Sequence, residues 1–222
     1  MEGKIFVTED GSHSVLLRGT NLAYHSIHGA IQESKHIFIN AGLRPKLEEK
    51  HSPLRIFEMG FGTGLNALLT LAESESHSID IFYHGIDLYF IPQSISNKLN
   101  FCQKDDLLKW QPAFQIMHAS EPGKLVRLSP NFNFLRSMND ILQFDTREKF
   151  NLVYYDAFAP DDQPELWTPG IFEKIYDWLL PGALLLTYSA KGEVRRALEK
   201  SGFNVKKMPG PPGKREFIVA NK

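Results

Sequence analysis

The sequence predicts an α/β fold: a mostly parallel sheet covered by helices, ending in an antiparallel hairpin and preceded by a small N-terminal extension. Three observations lead there. From Leu54 onward, short apolar runs alternate with segments of helical pattern, the mark of a parallel sheet wrapped on both faces. The first of these runs ends in a glycine-rich turn, Glu58-Met59-Gly60-Phe61-Gly62-Thr63-Gly64-Leu65-Asn66. The last two, at 203–208 and 216–220, are joined by Pro209-Gly210-Pro211-Pro212-Gly213 with no helix between them, so they must run antiparallel.

The elements follow in order. Residues 4–8 and 14–18 are short extended segments around the turn Glu9-Asp10-Gly11-Ser12. The stretch 24–34 reads as helix or compact loop and leads into His36-Ile37-Phe38-Ile39. Polar residues and two prolines make 42–53 a linker, dividing the chain into an extension at 1–50 packed on a domain at 51–222. Strands are expected at 54–58, 79–86, 132–135, 150–155 and 183–188. Helices are expected at 65–72, from Pro92 to Asn100, at 110–125, at 170–180 before Pro181-Gly182, and at 192–201.

Composition narrows the class. With 42% hydrophobic residues in 222, the chain can bury a substantial core. No apolar run approaches the roughly 20 residues that cross a bilayer, and the polar N-terminus does not read as a signal peptide. A cytoplasmic protein that engages no membrane is expected, a monomer or weak dimer. The single cysteine, Cys102, excludes an internal disulfide and a cysteine-rich metal site. His25 and His28 lack an accompanying carboxylate cluster, so no metal is expected. The net charge of −1 conceals an asymmetry: residues 1–190 carry 16 Lys/Arg against 23 Asp/Glu, and residues 191–222 carry 9 against 3. A basic end is either a footprint for a polyanion or an ordinary solvated face.

The glycine turn carries the chemistry. Glycines between a strand and a helix permit a tight turn and a close approach of backbone to ligand. A dinucleotide fingerprint would need its third glycine at position 65, which is leucine. The spacing E-x-G-x-G-x-G instead resembles motif I of class I methyltransferases, a Rossmann-like fold. That makes Glu58, Gly60, Phe61, Gly62, Thr63, Gly64 and Asn66 candidates for holding S-adenosyl-L-methionine. Asp87, ending the second strand, is placed either to accept the ribose hydroxyls or to cap a helix. Asn139 and Asp140 follow the next strand, where such enzymes often contact the adenine. Asp156 ends the strand 150–155 and should face the same crevice, because ligands of open α/β sheets sit outside the strands' carboxyl ends. It is the candidate to orient an amine acceptor and receive its proton. The proline-rich loop beyond it carries Phe158 and Trp167.

These segments resemble a known family. Thr8-Glu9-Asp10-Gly11-Ser12, Tyr24-His25-Ser26, Gln32-Glu33-Ser34, the glycine turn, Asp156-Ala157-Phe158-Ala159-Pro160, Pro164-Glu165-Leu166-Trp167-Thr168, Thr187-Tyr188-Ser189-Ala190 and the 209–216 loop together resemble the methyltransferase-domain family of the tRNA-modifying enzyme MnmC, in its stand-alone MnmD form. The resemblance implies methylation of the amine of 5-aminomethyl-(2-thio)uridine at the tRNA wobble position, giving the 5-methylaminomethyl form. It also implies no FAD, the chain ending at Lys222. Tyr24, His25, Ser26 and Glu33 become candidates to fold over the crevice. Arg195, Arg196, Lys214 and Arg215 become candidates for phosphate contacts with an anticodon stem-loop, and Phe158 and Trp167 for stacking on a flipped base. Many relatives carry glutamate where this chain has Asp87. An amine acceptor on a small molecule or protein stays open, as does a non-catalytic nucleotide-binding role.

Overall fold

The computed structural model of the protein describes residues 3–222. β1 (Gly3–Val7) and β2 (His13–Leu17) form an antiparallel pair. Their turn does more than reverse the chain. Asp10 Oδ1 accepts from the Ser12 amide at 2.9 Å, while Oδ2 accepts from the Gln32 amide at 3.0 Å, and Ser12 Oγ accepts from the Ala30 amide at 3.3 Å. The orphan amides at the start of α1 (Ala30–Ser34) are thus capped from 18 and 22 residues upstream.

α1 continues through a π-helical stretch, Lys35–Leu43, into α2 (Arg44–Glu48). This corrects the expected linker at 42–53. Pro45 falls at the junction where the π-helical stretch gives way to α2. Ile37, Phe38, Leu43 and Leu47 share one buried cluster with the strands of the main sheet, and burying that apolar face holds the segment helical through Glu48.

The main sheet has eight strands in the order β5-β6-β4-β3-β7-β8-β10-β9. β3 (Leu54–Met59), β4 (Ile81–Asp87), β6 (Phe132–Met138), β7 (Phe150–Tyr155) and β8 (Leu179–Thr187) are parallel, and buried residues dominate most of them, as expected of strands covered on both faces. β9 (Asn204–Pro209) and β10 (Glu216–Asn221) form the antiparallel hairpin that the sequence predicts, β10 lying against β8. Between the strands run α3 (Leu65–Ser74), α4 (Gln93–Ser96), α5 (Gln111–Ala119), α6 (Pro169–Trp178) and α7 (Gly192–Lys200).

Three further expectations shift. The helix expected from Pro92 is the single turn α4. The one expected at 110–125 ends at Ala119, and β5 (Val126–Ser129) follows as an antiparallel edge strand. Pro181-Gly182 does not stop a helix. α6 ends at Trp178, and the Pro-Gly pair lies inside β8, where its register against β7 shifts between Phe150 and Leu152. Among the described residues no helix is long and apolar enough to cross a membrane.

The topology fixes where a ligand can sit. After β3 the chain builds β4 and β6 on one side, then returns to place β7 on the other. The strand order reverses between β3 and β7, and the crevice of such a sheet opens there.

Candidate active site

A cavity of about 590 Å³ opens at this switch point, within the range of small-ligand sites. Its floor is the ends of β3, β4 and β7, with Met59, Gly60, Asp87 and Asp156. Residues 22–26 and Glu33 wall it on the N-terminal side, and Phe158, Tyr188 and Lys214 on the other.

The turn after β3 is shaped by what it touches. The Asp156 amide donates to the Met59 carbonyl at 2.8 Å, binding the ends of β3 and β7 together. Gly60 has φ +89, and a Cβ there would lie 2.3 Å from the Asp156 carbonyl oxygen. Gly62 has φ +50, and a Cβ would meet the Tyr24 ring at 2.8 Å. Only glycine satisfies both positions. Asp87 Oδ2 accepts from the Gly62 amide at 2.9 Å and Oδ1 from the Tyr89 amide at 3.3 Å. A carboxylate has about four acceptor sites, so these bonds leave it capacity to accept from a ribose hydroxyl. Burial raises the Asp87 pKa against these amide bonds. The Asn139 amide donates to the Asp87 carbonyl, and Asn139 and Asp140 line the same end of the cavity.

Five candidates from the turn do not line the cavity. Glu58 is fully buried beneath it, and burial raises its pKa well above the ordinary glutamate value against the bonds from Tyr83 and Asn66. Phe61 points into the core against Phe90, His118 and Phe134. Gly64 backs onto Phe61 and His118. Thr63 is buried, its hydroxyl 2.7 Å from His25 Nε2. Asn66 Nδ2 donates to both Glu58 Oε1 and Asp156 Oδ2, each at 2.9 Å. These residues shape and support the turn from behind, Glu58 from β3, Phe61, Thr63 and Gly64 from the turn itself, and Asn66 from the first turn of α3.

At the other end, Asp156 faces the cavity. Burial first, then the charge of Glu33, pushes its pKa up to about 7, against the Asn66 bond and the charge of Lys214. Glu33 pairs with Lys214, whose Nζ also lies 3.9 Å over the Tyr188 ring. The Ser26 amide donates to Glu33 Oε2 at 3.4 Å. Burial holds His25 neutral, down to about 4. The rings of Tyr24 and Phe158 stand 5.3 Å apart at 54°, forming a corner.

Trp167 is displaced from its expected role. It is buried, and its Nε1 donates to the Phe158 carbonyl at 2.9 Å, so it fixes the loop that carries Phe158 rather than presenting a face for stacking. Lys214 is turned into the cavity and committed to Glu33, away from any phosphate. Arg195, Arg196 and Arg215 are exposed and outside the cavity wall, with Arg195 paired to Glu199 one helical turn on. Tyr188, which the sequence offers only within a family segment, is a wall residue; its hydroxyl donates to the Ala157 carbonyl at 2.8 Å.

The lining is acidic. Glu33, Asp87, Asp140, Asp156, Asp162 and Glu165 face it, and Lys214 is the sole Lys or Arg among the described residues that line it. Such a site favours cationic ligands, and a sulfonium nucleoside carrying an ammonium group is one.

Comparison with known proteins agrees. Residues 118–222 match the family model described as S-adenosyl-L-methionine-dependent methyltransferase. The chain is 28% identical over 211 residues to the tRNA 5-methylaminomethyl-2-thiouridine biosynthesis bifunctional protein MnmC of Burkholderia multivorans, covering 88% of this chain and 31% of that protein. It is 32% identical over 203 residues to the protein of that name from Pseudomonas entomophila, covering 84% and 30%. The chain thus spans about a third of the length of these relatives. Among solved structures, MNMC2 from Aquifex aeolicus matches at TM-score 0.74 over 99% of this chain and 69% of that one, at 22% identity, which shows a common fold.

Fold, turn and family match define an S-adenosyl-L-methionine-dependent methyltransferase. Within that class, the chain belongs to the family of the MnmC methyltransferase domain.

Proposed function

We propose that this enzyme methylates the primary amine of 5-aminomethyl-(2-thio)uridine at the tRNA wobble position, giving 5-methylaminomethyl-(2-thio)uridine. The observation that carries this reading is Asp156: a carboxylate with pKa about 7 at the switch point, main-chain bonded to the end of the cofactor turn.

In this reading the main chain at Gly60 and Gly62 holds the methionine part of the cofactor, Asp87 its ribose and Asn139 its adenine. The cofactor supplies an electrophilic methyl group. Asp156 draws in the acceptor ammonium and takes a proton from it, directly or through water, leaving a nitrogen lone pair free to attack. A proton affinity raised toward that of an amine makes this transfer less uphill than for an ordinary carboxylate. The corner of Tyr24 and Phe158 is shaped to receive a base turned out of its stack. The relatives' names supply the tRNA, and the exposed Arg195, Arg196 and Arg215 support it as phosphate contacts with the anticodon stem-loop.

The test is nucleoside analysis of tRNA from a strain that makes the aminomethyl nucleoside but cannot methylate it, after incubation with purified protein and labelled cofactor. Label in 5-methylaminomethyl-(2-thio)uridine is expected. A label-free tRNA pool, with label in a small amine or protein instead, overturns the tRNA assignment. Affinity for tRNA is also expected to fall steeply with salt, and Arg195→Glu with Arg196→Glu to weaken it at every salt concentration; filter binding across a salt series measures both.

A further inference from the structure

Two shielded carboxylates share the acceptor wall, Glu33 from α1 and Asp156 at the end of β7, whereas a single amine brings one positive charge. We propose that Lys214 is a specificity-determining residue that cancels Glu33 and leaves Asp156 as the lone uncompensated anion among the shielded carboxylates of this wall, Asp162 and Glu165 being exposed at its rim. The inference rests on the amine-acceptor reading above.

The placement of Lys214 is built into the fold. Its loop is closed by main-chain bonds from Gly210 to the Arg215 carbonyl at 3.0 Å and from Lys214 to the Pro211 carbonyl at 2.9 Å. It is also docked on the N-terminal segment: His36 Nε2 lies 2.8 Å from the Pro209 carbonyl, and a Cβ at Gly213 would fall 2.0 Å from the His28 ring. Nζ therefore reaches Glu33 across the Tyr188 face from a fixed loop, and both partners are largely shielded, their side chains 26% and 12% exposed. A shielded pair of this kind is screened less than a surface one.

The charged and titratable groups around Asp156 are Glu33 of α1, Glu58 of β3, Tyr83 of β4, Tyr188 beyond β8, Asp162 of its own loop, and Lys214. His25 also faces Glu33 and Lys214 but stays neutral. Of these Lys214 is the only cation. Without it, Asp156 ionises against an unpaired Glu33. Without Glu33, it ionises against Lys214 alone.

The experiment follows the Asp156 carboxyl by carbon NMR in aspartate-labelled full-length protein, assigned with Asp156→Asn, alongside pH profiles of methyl transfer. Lys214→Met should move the Asp156 titration and the acid limb up by about one pH unit, which is about tenfold in rate on the acid side. Glu33→Gln should move both down, and the double variant should return them close to wild type. Lys214→Arg should keep the wild-type limb. Overturning results are an unmoved titration in both single variants, shifts in the same direction, or a uniform loss of rate at every pH with the titration unchanged. If wild-type protein transfers no methyl group to the aminomethyl nucleoside, the functional reading fails, while the NMR titration still decides the role of Lys214.

Discussion

The two ends of the cavity are built in different ways. The end beneath β3, β4 and β6 is made largely of main chain: glycines with positive φ, amides donating to Asp87, a strand end pinned to its neighbour. The end around Asp156 is made of side chains brought from α1, the loop after β7, the region after β8 and the C-terminal hairpin. A main-chain site tolerates few changes in its local sequence and can serve one cofactor for many reactions. A side-chain site can be altered one residue at a time, so acceptor chemistry should lie there. Variants at the two ends should therefore fail differently.

The largest effect should come from Asp156→Asn. The amide cannot take a proton, so single-turnover methyl transfer should fall by about 10²- to 10⁴-fold, while calorimetry finds cofactor affinity nearly unchanged. Stability should move the other way. In the fold the Asp156 proton is held to about pH 7, whereas an unfolded aspartate loses it near 3.8. The unfolded chain then sheds its proton first, so this group's contribution weakens between pH 4 and 7 and levels off above. The loss is no more than about 4 kcal/mol. The asparagine variant escapes it and should melt above wild type at pH 8. A lower Tm there would contradict the buried charged carboxyl.

At the other end, Gly60→Ala should reverse the pattern. A methyl group 2.3 Å from the Asp156 carbonyl, at φ +89, has no room. Separation of β3 from β7, or strain at the turn, should cost about 3 kcal/mol and abolish measurable cofactor binding. Wild-type affinity with normal thermal stability would show that the turn is not held as described. Asp87→Asn should be milder: one acceptor survives for the Gly62 amide, and cofactor Kd should rise about 10- to 100-fold from the loss of charge-assisted bonds, with little change in kcat.

The same division explains what could be read in advance. The parallel sheet, the closing hairpin, the turn and Asp156 are each encoded in one contiguous stretch whose spacing carries the information. The helix over Lys35–Leu43 was hidden because its helicity comes from burial of Ile37, Phe38 and Leu43 against distant strands, which overrides two nearby prolines. β5 escaped because a four-residue edge strand has too little period to stand out. Glu58 and Asn66 belong to the motif, yet their places beneath the floor depend on the pleat of β3 and the rotation of α3. The Glu33–Lys214 pair joins positions 181 residues apart, and no local pattern announces it.

Trp167 gives the smallest and sharpest comparison, because its local setting invites a reading as a stacking platform and its contacts make it a brace. Its indole nitrogen holds the Phe158 carbonyl, and its ring packs edge-on against Tyr155 at 5.0 Å and Tyr188 at 6.0 Å. Trp167→Phe keeps an aromatic ring but removes the donor. A neutral hydrogen bond contributes about 1 kcal/mol, so the loop should loosen without unfolding. KM for the acceptor should rise about threefold to fivefold, with kcat and cofactor Kd close to wild type. A stacking platform would respond in the opposite order: phenylalanine would largely preserve binding, and loss would appear only with Trp167→Ala. Steady-state kinetics on these two variants therefore separate a brace from a platform.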